Sequence, residues 1–174
     1  MVETSDKYPW QSSYPENIKW DSNIEPKPVS DILSNAVSKY SHKTAIDFLG
    51  QHYTYSQIGG YVDALAGNLQ NLGIKSGTKV AIILPNCPQF IISYYAVLKI
   101  GAIVVNCNPL YTIHELEHQL DDADVEIIIT LDLKIIYDKI LQLRKSQKIK
   151  KILVTEGQIL TPGQQLVDFE EIPS

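Results

Sequence analysis

Short apolar runs alternate with segments of helical spacing along most of the chain, and this alternation constrains the fold more than any other feature. Residues 79–84 form an apolar run without polar alternation, which is typical of a parallel strand buried on both faces. Strands separated by helices need right-handed crossovers, so the pattern predicts an α/β fold with a mostly parallel sheet and helices on both faces. The other predicted strands are 102–106, 125–130 and 152–155, and the helices between them are 88–100, 113–121 and 133–143.

The region before this alternation divides into an arm and a helical start. Residues 1–27 have several prolines and no helical or alternating period, so we expect an extended arm. Helical spacing begins near residue 29. A short hairpin with a turn at Gly50-Gln51 follows, and its last residue, Thr54, can cap the next helix. A second helix then runs to about residue 72 and ends at Gly73. We therefore expect an arm at residues 1–27 and an α/β domain at residues 28–174.

The composition matches an ordinary globular domain and argues against several classes of protein. A net charge of −5 argues against a general nucleic-acid binder, which needs a basic excess to neutralise phosphates. No apolar run is long enough to cross a membrane, and the first residues resemble neither a secretory signal nor a transit peptide. Cys87 and Cys107 lie in apolar stretches, which indicates reduced core thiols. We expect a cytoplasmic protein.

Basic residues concentrate in the segment from Lys134 to Lys151, where no acid follows Asp138. Such a segment could contact phosphates or the acidic headgroups at the inner face of a membrane, as a peripheral protein does. The plainer interpretation is a solvated helix face and loop. The basic residues inside the segment are Lys139, Arg144, Lys145, Lys148 and Lys150.

The run H-E-L-E-H at residues 114–118 satisfies the zinc-protease pattern H-E-x-x-H. Two imidazoles at i and i+4, His114 and His118, would share one helix face and could bind zinc. Thr112 and Glu115, however, form the capping-box pattern T-x-x-E, which gives Glu115 a structural role at the helix start. No third histidine follows at close range, so coincidence is the preferred interpretation.

Other catalytic patterns are absent from the sequence. There is no G-x-x-x-x-G-K-[ST] phosphate loop, and the glycine pair at residues 59–60 lies within a helical pattern instead of following a strand. There is also no G-x-S-x-G motif to mark a hydrolase nucleophile. The chain therefore offers no self-sufficient catalytic set.

A series of strings carries a resemblance to a known family. N-P-L-Y-T at residues 108–112 lies between G-A-I-V-V-N at 101–106 and E-L-E-H-Q-L at 115–120. Together they resemble the adenylate-forming ligases, and specifically the long-chain acyl-CoA synthetases, over almost the whole chain. The E-L-E-H-Q-L run is itself a family feature, which accounts for the zinc-like pattern. Further strings in family order are Y-T-Y at 53–55, L-Q-N-L-G at 69–73, G-T-K-V-A at 77–81 and L-P-N at 84–86.

The resemblance implies the N-terminal subdomain of the adenylate-forming ligase fold. It also implies a reaction in which a fatty acid and ATP, with Mg²⁺, form an acyl-adenylate whose acyl group passes to the thiol of CoA. In this family the ATP loop, the Mg²⁺ residues and the lid with its catalytic lysine lie further along the chain. We therefore expect an N-terminal portion truncated before the ATP-binding loop, without catalytic residues, without bound cofactors and inactive alone.

Two sets of binding residues follow from the resemblance. In related acetyl-CoA synthetases the loop matching Asn108, Pro109 and Leu110 borders the CoA tunnel, and a basic residue there falls near Lys139. The alternative is that Asn108 and Pro109 only end a strand and start a helix.

The second set lies in the arm. In bacterial long-chain synthetases the N-terminal segment contributes to a homodimer, and Trp10, Tyr14 and Trp20 are the aromatic anchors that such a contact would use. Packing within a single chain is the equal alternative. Because a disordered tail seldom carries two tryptophans in so short a span, we expect them to be buried against this domain or a partner.

Two other functions remain open. One is a non-catalytic interaction module that dimerises through the arm and an exposed sheet edge. The other is a zinc hydrolase built on His114 and His118.

Overall fold

The structure is a computed structural model that describes residues 8–10, 13–18, 22–146, 149–155 and 170–171. These residues form five helices and seven strands. In chain order the elements are α1 (Ser30–Tyr40), β1 (Thr44–Phe48), β2 (Gln51–Thr54), α2 (Tyr55–Asn71), β3 (Lys79–Ile83), α3 (Pro88–Lys99), β4 (Ile103–Asn106), α4 (Ile113–Asp122), β5 (Ile127–Leu131), α5 (Lys134–Ser146), β6 (Lys151–Thr155) and β7 (Glu170–Glu171).

The main sheet has the strand order β4-β3-β5-β6-β7. The pairs β3–β4, β3–β5 and β5–β6 are parallel, which confirms the predicted mostly parallel sheet. The two-residue strand β7 pairs antiparallel with β6 and was not predicted. In this order the chain leaves β3 for β4 at one edge and then crosses back to β5 on the other side of β3.

Helices cover both faces of the sheet, as predicted. On β3, Val80 and Ile82 pack in the cluster that contains α1, α2 and α3. Ala81 and Ile83 pack in a second cluster with α4 and α5. All four side chains have 0% exposure. Polar and apolar residues do not alternate along β3 because both faces of this strand are covered by an apolar layer.

A small antiparallel hairpin precedes the main sheet. β1 and β2 pair directly, and Phe48 is opposite Gln51. The two connecting residues, Leu49 and Gly50, both have positive φ, at 49° and 81°. Two successive left-handed residues form the turn whose twist matches a tight hairpin. The turn thus begins one residue earlier than the predicted Gly50-Gln51 turn.

Every helix in the part of the chain that the structure describes is too short or too polar to cross a bilayer.

Capping boxes start two of the helices. At α2 the Thr54 hydroxyl accepts from the Gln57 N–H at 3.3 Å, and the Gln57 Oε1 accepts from the Thr54 N–H at 2.8 Å. At α4 the Glu115 N–H donates to the Thr112 hydroxyl at 3.3 Å, and the Glu115 carboxylate accepts from the Thr112 N–H at 2.8 Å. Each box satisfies two backbone donors that the first turn of a helix leaves free.

The two boxes differ in charge, and this difference predicts a pH dependence. The hydrogen bonds from the backbone N–H and the hydroxyl of Thr112 lower the pKa of Glu115 below its ordinary value of 4.5. A group whose pKa is lowered by folding stabilises the fold fully above its unfolded pKa, and this contribution is lost as the pH falls through the folded pKa. We expect Glu115→Gln to reduce the loss of stability below pH 4.5, measured by chemical denaturation across that range.

Gln57→Glu is the matched control, because it places a titrating group in an identical box. Gln57→Glu should therefore lose more stability in acid than the original chain does, because the glutamine at this position does not titrate. Equal pH profiles for Glu115→Gln and the original chain would contradict the assignment.

Candidate functional site

The loop between β4 and α4, residues 107–112, lies at the carboxyl edge of the parallel sheet. The Cys107 N–H donates to the Ile82 carbonyl at 3.1 Å, so the loop leaves the sheet directly beside β3. In open α/β sheets, ligands bind at the carboxyl ends of the strands, near the point where the strand order reverses. Here the order reverses around β3, so this loop lies in a position suited to ligand binding.

Local hydrogen bonds fix the shape of this loop. The Asn108 side-chain carbonyl accepts from the Leu110 N–H at 2.9 Å, and the Asn108 backbone carbonyl accepts from the Tyr111 N–H at 3.1 Å. Turns often begin at an asparagine whose side chain accepts a hydrogen bond from the backbone N–H two residues later. Thr112 then caps α4. The turn presents the Leu110 side chain to solvent, with 82% of its surface exposed.

The structure brings Lys139 of α5 to this loop, although 30 residues separate it from Pro109. Its ammonium group donates to the Pro109 carbonyl at 3.2 Å and to the Tyr111 carbonyl at 2.8 Å. The predicted set of Asn108, Pro109, Leu110 and Lys139 therefore does lie together. Because two of the three ammonium donors are used by the loop, the geometry suits Lys139 to holding the loop in place.

A further contact was missed by the sequence analysis. The Gln119 side chain donates to the Asn106 carbonyl at 3.0 Å and so joins α4 to the end of β4. Gln119 lies within the E-L-E-H-Q-L run, but a glutamine on a helix gives no sequence signal for a partner 13 residues away. With Lys139, it anchors the loop from two helices.

The zinc pattern does not assemble a metal site. Glu115 is engaged by Thr112, and His114 and His118 are both exposed. Among the described residues, no group of three or more His, Cys, Asp or Glu side chains is placed to hold a metal ion. The zinc hydrolase alternative therefore receives no support from the geometry.

The two cysteines are free, and Cys87 is half-buried. Cys107 is buried, and burial raises its pKa to about 11. Burial likewise raises the pKa of Cys87. Because the thiolate is the reactive form of cysteine, neither residue is suited to act as a nucleophile.

In the basic segment, several described lysines already have partners. Lys134 pairs with Asp138 at 2.8 Å and Lys150 pairs with Glu126 at 2.7 Å. The side chains of Arg144, Lys145 and Lys148 lie outside the described residues. The described part of the segment therefore matches the plainer interpretation, a solvated helix face and loop.

In the arm, Trp10 and Tyr14 keep much of their surface in solvent, with 49% and 45% exposure. Trp10 stacks on Tyr8 with ring centroids 4.7 Å apart. Trp20 lies outside the described residues. Among the described residues before α1, the Ser13 N–H donates to the Trp10 carbonyl at 3.0 Å and the Ile18 N–H donates to the Pro15 carbonyl at 2.9 Å, so this part of the arm contains turns.

Comparison with known proteins connects this fold to a family. The family described as AMP-binding enzyme matches residues 33–172. A long-chain-fatty-acid–CoA ligase of Bacillus subtilis (strain 168) is 44% identical over 147 residues, which is 84% of this chain and 26% of the relative. The chain thus spans about a quarter of the length of that ligase.

Solved structures agree with the fold. The Klebsiella oxytoca NpsA N-terminal subdomain has a TM-score of 0.58 and 29% identity, over 60% of this chain and 27% of that one. Mycobacterium smegmatis MbtA, in its apo structure, has a TM-score of 0.70 and 24% identity, over 75% of this chain and 24% of that one. At 24% identity, the likeness to MbtA shows a shared fold and nothing more.

The family match covers most of the chain, from α1 to β7, and includes the loop at the carboxyl edge of the sheet. The chain therefore belongs to the family of AMP-binding, adenylate-forming enzymes.

Proposed function

We propose that this chain is the N-terminal part of a ligase that activates long-chain fatty acids with ATP and Mg²⁺ and transfers the acyl group to CoA. The 44% identity to the Bacillus subtilis ligase over 147 residues is the observation that carries the proposal.

In this proposal the chemistry resides in other parts of a longer protein. Adenylation requires cationic groups and a metal ion that clamp the phosphates. Among the described residues, no three His, Cys, Asp or Glu side chains are placed together to hold a metal ion. The segment would instead supply scaffold, a wall of the CoA approach and a surface for a second copy.

The test is a transplant into the relative. We expect the Bacillus subtilis ligase to keep forming palmitoyl-CoA from palmitate, ATP and CoA when its matching segment is replaced by this chain. The reason is that two segments 44% identical over 147 residues should share the same fold. Product formation is measured by chromatography, beside the isolated chain as a control that should form none.

A transplanted enzyme that folds, as judged by its melting transition, but forms no palmitoyl-CoA would count against the proposal. So would tight binding of ATP by the isolated chain in a calorimetric titration, because that result requires a nucleotide site within these residues.

Within this enzyme we propose that the loop at residues 108–111 borders the path of CoA. The supporting observations are its place at the carboxyl edge of the sheet and its internal hydrogen bonds, which keep the exposed Leu110 in one position. Lys139 then contributes by holding the Pro109 and Tyr111 carbonyls.

We expect Lys139→Met, in the transplanted enzyme, to raise the KM for CoA and leave the KM for ATP unchanged. The loop loses a charged hydrogen-bond donor worth about 1.5–3 kcal/mol, so the KM for CoA should rise about tenfold or more. Steady-state kinetics with each substrate varied in turn provide the measurement.

Lys134→Met is the matched control, because Lys134 is on the same helix, pairs with Asp138 and is 88% exposed. Equal KM values for CoA in the two variants would contradict the proposal that the loop borders the path of CoA.

We also propose that the arm forms a homodimer contact. The half-exposed Trp10 and Tyr14 support it, because large aromatic side chains anchor protein interfaces and gain little while they remain in solvent. A purely non-catalytic module that dimerises through the arm would form the same contact. Only the transplant test distinguishes that alternative from the ligase proposal.

Removal of residues 1–27 should convert a dimer into a monomer in sedimentation experiments, since the aromatic anchors leave with the arm. The double variant Trp10→Ser, Tyr14→Ser should weaken the dimer without shortening the chain. A chain that is monomeric both with and without residues 1–27 would exclude this contact.

A further inference from the structure

A cavity of about 370 Å³ lies between α1, α2 and α3, on the face of the sheet opposite α4 and α5. This volume falls within the range of small-molecule pockets, about 300–1,000 Å³. On α1 its wall consists of Ser30, Leu33, Ser34 and Val37, which follow the spacing i, i+3, i+4, i+7 of a single helix face. The cavity is separate from the loop that Lys139 holds.

The wall on α2 has the same spacing, with Ser56, Gly59, Gly60 and Asp63. A Cβ atom on Gly59 would lie 2.9 Å from Val37 Cγ2, so this glycine allows α1 and α2 to approach each other. A Cβ atom on Gly60 would meet nothing within 4 Å. Packing therefore does not require the glycine at position 60, and its missing side chain leaves the space open.

An ion pair lies in the cavity wall, formed by the Lys99 ammonium and the Asp63 carboxylate. The two side chains remain 45% and 63% exposed, so both charges can reach a ligand. The Tyr95 ring and the Val62 side chain add apolar surface beside them. The cavity thus combines one positive charge, one negative charge, serine hydroxyls and an apolar wall.

We propose that this cavity binds a small zwitterion with an apolar body, of the kind that a free aliphatic amino acid represents. A ligand with a single charge would be attracted by one member of the ion pair and repelled by the other. A zwitterion can place its ammonium at Asp63 and its carboxylate at Lys99, and so keeps every charge balanced. Its apolar body then packs against Leu33, Val62 and Tyr95.

The experiment titrates the full chain with L-leucine and follows the amide proton–nitrogen NMR spectrum. A ligand of this size should bind with a dissociation constant in about the millimolar range. The expected shifts are confined to amides around the cavity, including those of Gly59 and Gly60. Isocaproate and isoamylamine, which each lack one of the two charges of leucine, should shift the same amides far less.

Gly60→Leu tests the site itself. The added side chain should occupy the cavity and weaken leucine binding at least about tenfold. It should also raise the melting temperature by about 2–4 °C, because leucine favours helices far more than glycine does. Gly67→Leu is the matched control: Gly67 is on the same helix, away from the cavity, and its Cβ would also meet nothing within 4 Å. It should gain the same stability and bind leucine normally.

Asp63→Asn tests the role of the charges, because it leaves Lys99 without its anionic neighbour. In this variant isocaproate should bind more tightly than leucine. The proposal is overturned if leucine causes no shifts around the cavity, if Gly60→Leu binds leucine as the original chain does, or if isocaproate matches leucine in the original chain.

Discussion

Burial of β3 on both of its faces is the constraint on which the rest of this structure depends. Val80, Ala81, Ile82 and Ile83 have no exposed surface. Such a strand needs a neighbour at each edge and a layer of helices on each face. The chain meets both needs with one reversal, since β4 pairs at one edge and β5 at the other. α3 and α4 consequently lie on opposite faces of the sheet.

The same reversal explains how a residue of α5 reaches a loop that follows β4. α4 and α5 cover one face together, and Leu116 of α4 shares a cluster with Ile136 and Ile140 of α5. The start of α5 therefore lies beside the start of α4, where the loop at residues 107–112 enters the helix. Lys139 directly precedes Ile140 on α5. From this position its ammonium group donates to the carbonyls of Pro109 and Tyr111.

Much of this fold could be predicted from local sequence patterns. The capping boxes at Thr54 and Thr112, the apolar run of β3 and the left-handed residue at Gly73 are set by neighbours within a few residues. Each was therefore readable from the sequence. The predicted strands and helices agree with the structure to within about two residues at each end, the usual disagreement over element boundaries, except that α5 continues three residues beyond its predicted end at residue 143.

What could not be predicted depends on residues that are distant in sequence. The contact of Lys139 with the Pro109 carbonyl requires the strand order, which no local pattern contains. The exposure of Trp10 and Tyr14 depends on what the arm packs against, and composition alone suggested burial. The cavity escaped the sequence analysis for the same reason, although the small residues Ser56, Gly59 and Gly60 on one face of α2 were a visible signal.

The two faces of the sheet are packed differently, and this difference bears on where a ligand could act. Large aliphatic side chains fill the space between α4, α5 and the sheet. Between α1 and α2, small side chains leave a cavity, and glycine in a helix interior costs about 0.5–1 kcal/mol relative to alanine. For Gly59 the approach of Val37 offsets this cost. Gly60 and Gly67 have no such contact, so glycine alone does not identify a site. Of these two, Gly60 adjoins the cavity with its accessible ion pair and Gly67 does not.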